Sequence, residues 1–93
     1  MRILWRPAAD SDLDAIIDYI ERDDALAAIA LGDIITRRVA ELGDQPGLYR
    51  SGRVRGTREM VVHRNYVVVY RIKRDVIEIV RVLHAPRQYP PRQ

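Results

Sequence analysis

The side chains of this 93-residue chain that could do chemistry gather in its C-terminal half. Arg58, Arg71 and Arg81 fall on three successive β-prone segments. His84 closes the last of these, and Tyr89 follows a few residues later. An imidazole such as His84 titrates near neutral pH and can give or take a proton. Glu59 could serve as a general base. Guanidinium groups hold phosphate or developing negative charge through a planar fork of donors. Acid–base catalysis beside an arginine-held anion is therefore one chemistry open to Arg58, Arg71, Arg81, His84 and Tyr89. Binding without catalysis is the other, with Arg58, Arg71, Arg81 and Arg87 as contacts to a partner.

Each of these residues also has a structural reading. His84 sits at a strand end with no carboxylate beside it in sequence to orient the ring. Arg71 and Arg81 alternate with apolar residues, so their stems can cover a sheet while their heads reach water or a partner. His63 lies beside a turn and reads as solvated. Tyr66 and Tyr70 share one strand face by their spacing, and with Trp5 and Tyr19 they read as packing residues. The chain has no Cys, and its Asp, Glu and His residues show no metal-ligand spacing, so neither a metal nor a cofactor is expected.

The elements that must position these groups are legible along the chain. Arg2 to Trp5 is a short β-like run. Pro7 suits the first turn of a helix, and Asp10, Asp12 and Asp14 lie near the positive end of its dipole. Leu13, Ile16, Ile17 and Ile20 form one apolar face, so a first helix is predicted over Pro7 to Arg22. Asp23 and Asp24 can cap a second helix, whose apolar face is Ala28, Leu31, Ile35, Val39 and Leu42. Gly43 suits the residue after that helix, with Pro46 beyond the stop. Almost nothing separates the two helices, which predicts an antiparallel αα-hairpin. Asp44 to Gly56, punctuated by Pro46, Gly47, Gly52 and Gly56, reads as irregular.

Three β segments follow: Glu59 to His63, Tyr66 to Ile72 and Val76 to His84. The short turns Arg64-Asn65 and Lys73-Arg74-Asp75 make them an antiparallel meander. The first run should join the same sheet. The reading is α+β, in the order β-α-α-β-β-β, with the αα-hairpin packed on one face of an antiparallel sheet. One domain spans 1–93, and its tail, 85–93, contains three Pro and cannot extend a central strand.

Charge is segregated along the chain. Residues 1–45 hold five Arg against ten acids, or −5; residues 46–93 hold ten Arg and one Lys against three acids, or +8. Such a split points to an acidic or polyanionic partner. No apolar run approaches the ~20 residues that cross a bilayer. Ile3 to Trp5 is far short of a signal-peptide core, so a soluble, cytoplasmic protein is expected.

The pattern as a whole resembles the ParE/RelE toxin superfamily, and more closely its ParE-like branch. The resemblance is carried by Tyr66-Val67-Val68-Val69-Tyr70-Arg71-Ile72, a charged turn, and Arg81-Val82-Leu83-His84 followed by Arg87. Gly56-Thr57-Arg58-Glu59 and the Pro46-Gly47 bend contribute to it. It implies the toxin half of a type II toxin–antitoxin pair, neutralised by a cognate antitoxin that wraps the toxin. Operator DNA would be met only indirectly, through the antitoxin. Two activities share the fold, which does not choose between them. ParE-like members inhibit DNA gyrase without cutting nucleic acid, and RelE-like members cut messenger RNA on the ribosome.

RNA cleavage needs a base for the 2′-OH, cations for the phosphorane and an acid for the leaving oxygen. The RelE branch places an Arg before the apolar core of the middle strand, where this chain has Val67. That branch also uses paired Lys upstream of the meander, whereas the only Lys here is Lys73, in a turn. Tyr89 could match the RelE-like C-terminal Tyr. These departures favour gyrase inhibition and leave messenger RNA cleavage as the alternative. A plain nucleic-acid-binding module is a third reading, supported by the basic half. Against it stand the lack of a DNA-reading motif and the few aromatic residues available for stacking.

Overall fold

The structure, a computed structural model, describes residues 1–84 of the chain. β1 (Arg2–Trp5) leads into α1 (Pro7–Glu21) and α2 (Ala25–Glu41). These are followed by β2 (Arg50–Ser51), β3 (Arg58–His63), β4 (Tyr66–Lys73) and β5 (Val76–His84). The strands form a single sheet in the order β1-β5-β4-β3-β2. Both helices lie on one face of it, α1 against β5 and α2 against β3.

Local chemistry explains most boundaries. Pro7 occupies the first turn of α1, where its missing N–H costs nothing. The Asp24 carboxylate accepts the Ala27 N–H at 3.0 Å and starts α2. Arg74 takes φ 59° between β4 and β5, which closes that hairpin tightly. The apolar face of α2 is buried as its periodicity predicts: Ala28, Leu31, Ile35, Val39 and Leu42 all lie inside. Leu31, Ile35, Val39 and Leu42 pack with Met60, Val62, Val68, Tyr70, Ile77, Ile79 and Val82 from the sheet, and Leu13, Ile16 and Ile20 close the layer from α1.

Two expectations need correction. The irregular stretch contains the two-residue strand β2, which pairs Arg50 with Glu59 and Ser51 with Arg58. A segment so short has no periodicity to read. The sheet is not wholly antiparallel, because β1 runs parallel to β5, with Arg2 opposite Val76 and Trp5 opposite Ile79. When each of seven successive elements reverses the chain, the first and the seventh run the same way. Gly43 follows the helix end as expected, without a left-handed conformation. The only positive-φ glycine among the described residues is Gly56. Leu42 ends the helix in right-handed conformation, and a side chain at Gly43 would instead stand 3.3 Å from the Met1 carbonyl.

The β4–β5 ladder carries an irregularity. Val69 lies opposite Arg81 while Tyr70 lies opposite Ile79, so Val80 is an extra residue on β5. The bulge falls just where β1 stops. There the Arg6 N–H donates to the Ile79 carbonyl at 3.0 Å. Beyond it no strand among the described residues flanks the outer edge of β5, and the Val82 N–H turns to Asp12 of α1 at 3.0 Å.

On the other side of the sheet centre, the Tyr70 ring is fully buried and its hydroxyl donates to the Pro46 carbonyl. Tyr49 packs edge-on against the same ring, with centroids 6.4 Å apart. Tyr70 thus ties the loop after α2 to the middle strand. Replacing it with Phe leaves the Pro46 carbonyl without its donor. The expected cost is about 1–2 kcal/mol of unfolding free energy, measurable by urea denaturation, with no change in the far-ultraviolet dichroism of the folded chain.

Candidate functional site

Of the arginines singled out in sequence, Arg58, Arg71 and Arg81 each have an internal acceptor. Arg58 Nη1 donates to the carbonyls of Tyr49 at 2.7 Å and Gly47 at 3.3 Å, holding the loop that leads into β2. Arg71 pairs with Glu78, its cross-strand neighbour on β5. Arg81 makes a two-pronged ion pair with Asp12: Nε to Oδ2 at 2.6 Å and Nη2 to Oδ1 at 2.9 Å. Sequence reading placed Asp12 at the dipole of α1. Its actual partner lies 69 residues away, and no local pattern encodes that contact.

His84 lies at the far end of β4 from Arg58 and Arg71. It faces Tyr66, while Arg58 faces Tyr70. Four residues of strand separate these positions by roughly 13 Å. The His84 ring is stacked on Tyr66, with centroids 5.1 Å apart and planes inclined by 40°. Beside them a cavity of about 360 Å³ opens between α1 and the end of the sheet, lined by Asp12, Ile16, Tyr19, Tyr66, Val82 and His84. The carboxylate in it, Asp12, is committed to Arg81 and to the Val82 amide. Among the described residues the pocket offers ring faces and one imidazole, but no clamp of cations around a reacting phosphate. Val67, at the position where a RelE-type cation would stand, is buried with Val69 and Leu83 on the face away from the helices. Arg87 and Tyr89 lie outside the described residues.

Glu59 is no general base. Its residue is 3% exposed. The Arg53 N–H and Nε reach Oε2 at 2.8 and 3.1 Å. Arg50 Nη2 reaches Oε1 at 3.2 Å. Burial pushes the Glu59 pKa up, but the Arg53 hydrogen bonds and the charges of Arg53 and Arg50 outweigh it and hold the carboxyl below its ordinary value. Glu78 is held low as well, chiefly by the Arg71 hydrogen bond, against burial and with help from the charges of Arg71, Arg6 and Lys73. Two carboxylates each gather two arginines, Arg50 and Arg53 at Glu59, Arg6 and Arg71 at Glu78. Sequence reading missed Arg50, Arg53 and Glu78. The one available signal was that acids in a basic half have many possible partners.

The geometry also fixes the loop between β2 and β3. A side chain on Gly52 would stand 2.1 Å from Thr57 Oγ1, and Gly56 takes φ +83°. These two glycines let the loop fold tightly enough to bring Arg53 over Glu59. The cations left without a side-chain partner among the described residues include Arg55, Arg64 and Arg74, all exposed. They were not singled out in sequence, because nothing local separates a free arginine from a paired one. Among the described residues no three His, Asp or Glu side chains converge as a metal site would require.

The Glu59 cluster has a measurable signature. Its folded pKa lies below the ordinary 4.5, so its contribution to stability is complete above that pH and is lost as pH falls through the folded value. Glu59→Gln removes the charge but leaves two guanidinium groups facing a buried amide. We expect it to cost about 3 kcal/mol at pH 7 and to flatten the acid limb of the stability profile, both readable from denaturation midpoints between pH 3 and 7.

Comparison with known proteins agrees with this architecture. The family model for the ParE toxin of the type II toxin–antitoxin system parDE matches residues 3–89. The toxin candidate Y4kP of Sinorhizobium fredii is 43% identical over 90 residues, covering 96% of this chain and 93% of the relative. Toxin RelE2 of Caulobacter vibrioides is 33% identical over 88 residues, covering 92% and 97%. Among solved structures, the chromosomal ParDE toxin–antitoxin system of P. aeruginosa superposes with a TM-score of 0.83 at 27% identity, over 90% of this chain and 95% of that one. The chain belongs to the ParE toxin family of type II toxin–antitoxin systems.

Proposed function

We propose that this toxin acts by binding rather than by chemistry, as an inhibitor of DNA gyrase held in check by a cognate antitoxin in the cytoplasm. One observation carries the reading. The described residues that could have cut RNA do not converge: Arg58, Arg71 and Arg81 are occupied within the fold, and His84 lies at the opposite end of β4 from the first two. An enzyme of this type needs its base, acid and anion clamp around one reacting phosphate. Val67 in place of a cation and the ParE family match support the same side. No helix among the described residues is long and apolar enough to cross a membrane.

Messenger RNA cleavage is the second reading, favoured by the name of the Caulobacter relative. Under it, His84, Tyr89 and the strand arginines would be the catalytic groups. The antitoxin, on the first reading, meets the exposed cations Arg55, Arg64 and Arg74 with acidic side chains, since opposite charges across an interface speed and orient association. Operator DNA is reached through the antitoxin alone.

The deciding assay uses purified toxin freed of antitoxin, divided between gyrase supercoiling and translation on programmed ribosomes. Inhibited supercoiling with intact messenger RNA is expected, and His84→Ala should leave that inhibition within about twofold. Cleaved RNA with unaffected supercoiling would reverse the assignment.

A further inference from the structure

The face of the sheet away from the helices carries a group of cations at one corner. Ile3 and Trp5 pack against the helix-covered core, so Arg2 and Leu4, which alternate with them on β1, point the other way. Register extends that face across two more strands. Arg2 lies opposite Val76, and Val76 opposite Lys73; Leu4 lies opposite Glu78, and Glu78 opposite Arg71. Residues paired across strands share a face, so Arg2, Lys73 and Arg71 stand on one side of the sheet. Arg6 joins them, its Nη1 3.6 Å from Glu78 Oε2. Arg74 sits in the turn that closes the β4–β5 hairpin. An open recess of about 450 Å³ is lined here by Arg2, Leu4, Lys73, Arg74, Val76 and Glu78, with Asp75 beside them.

Charge at this corner is unbalanced. Five cations, Arg2, Arg6, Arg71, Lys73 and Arg74, stand against the two acids Glu78 and Asp75. Glu78 is already shared by Arg71 and Arg6. Arg2, Lys73 and Arg74 are exposed and form no ion pair among the described residues.

The make-up of the corner selects its partner. Contacts between proteins centre on apolar and aromatic anchors. The apolar lining here is Leu4 and Val76, and no aromatic ring among the described residues lines the recess. Contacts to a nucleic-acid backbone are instead polar and strongly positive. Two strand spacings put the main chains of Arg2 and Lys73 about 10 Å apart, and the two rows of the face lie about 7 Å apart. Cations spread this widely meet several phosphates of a polymer rather than one phosphate group.

We propose that this corner, through Arg2, Lys73 and Arg74, binds the phosphate backbone of duplex DNA without reading its sequence. Phosphate contacts fix position and carry no base information, so operator recognition stays with the antitoxin. The duplex is the one held by gyrase, a source that rests on the gyrase reading above; the contact itself rests on the corner. Arg74 is also among the cations offered to the antitoxin, so the two partners exclude each other there.

The test is fluorescence anisotropy of a labelled mixed-sequence duplex, titrated with the antitoxin-free full chain between about 50 and 200 mM salt. Three phosphate contacts predict log affinity falling against log salt with a slope of about −2.7. Arg2→Gln combined with Lys73→Gln should weaken binding at least tenfold at the lowest salt and make the slope shallower by about 2. Arg22→Gln combined with Arg37→Gln removes the same charge from exposed positions of the helical hairpin and should stay within about twofold. If the corner pair unfolds, Arg74→Gln in the exposed turn reads the same effect, with a slope change of about 1. Equal losses in both pairs, or no binding by the parent chain, overturn the corner assignment and leave gyrase inhibition standing. Loss of single-stranded RNA binding with duplex binding unchanged overturns it in favour of an RNA contact. In the supercoiling assay the corner pair should need at least about fivefold more toxin for equal inhibition. Duplex binding lost with inhibition unaltered overturns gyrase's DNA as the source. A parent chain that binds duplex at the corner without inhibiting gyrase supports the corner and overturns the gyrase reading alone.

Discussion

The fold depends on one carboxylate placed where β5 loses its outer neighbour. β1 is four residues long and cannot flank a nine-residue strand. At the point where it ends, Val80 adds an extra residue to β5 and the ladder changes phase. The change leaves the Val82 N–H facing outward, and a buried amide without an acceptor is costly. Asp12 supplies the acceptor and takes the Arg81 guanidinium at the same time. The αα-hairpin is thereby fixed over the sheet at a definite height, and the groove between Tyr19 and His84 takes its shape from that contact.

The same device recurs elsewhere. Glu59 and Glu78 are buried, and each collects two arginines. An ion pair buried in this way contributes less to stability than its contacts suggest, because desolvation offsets the attraction. Its larger effect is specificity, since misregistered strands would leave a buried charge without a partner. Glu78 illustrates this: it lies opposite Leu4 on one side and Arg71 on the other, and a slip of one residue on either ladder would move it away from Arg71. The arginine excess of the C-terminal half is thus partly consumed by the architecture, and the charge open to partners is smaller than the sequence total implies.

This explains what sequence could and could not show. The αα-hairpin, the three-strand meander and the apolar face of α2 were legible because local periodicity and turn chemistry encode them. The Asp24 cap was legible for the same reason. The direction of β1 and the pairing of Asp12 with Arg81 were not, since both depend on elements brought together from opposite ends of the chain. Of the candidate site, the identities of Arg58, Arg71, Arg81 and His84 were readable and their employment was not. Whether an arginine faces a partner or a buried carboxylate is decided by tertiary contacts. The family was readable because its pattern spans the whole chain, so that weak local signals reinforce one another.

The claim on which the rest turns is that Asp12 and Arg81 act as a unit that locks hairpin to sheet. A double-mutant cycle measures it directly: urea denaturation of the parent chain, Asp12→Ala, Arg81→Ala and the double variant. The expected coupling is about 1.5–3 kcal/mol, with Asp12→Ala the more damaging single change because it also strands the Val82 amide. Additivity within about 0.5 kcal/mol would contradict it, and would return Arg81 to the pool of cations available for a partner or a substrate.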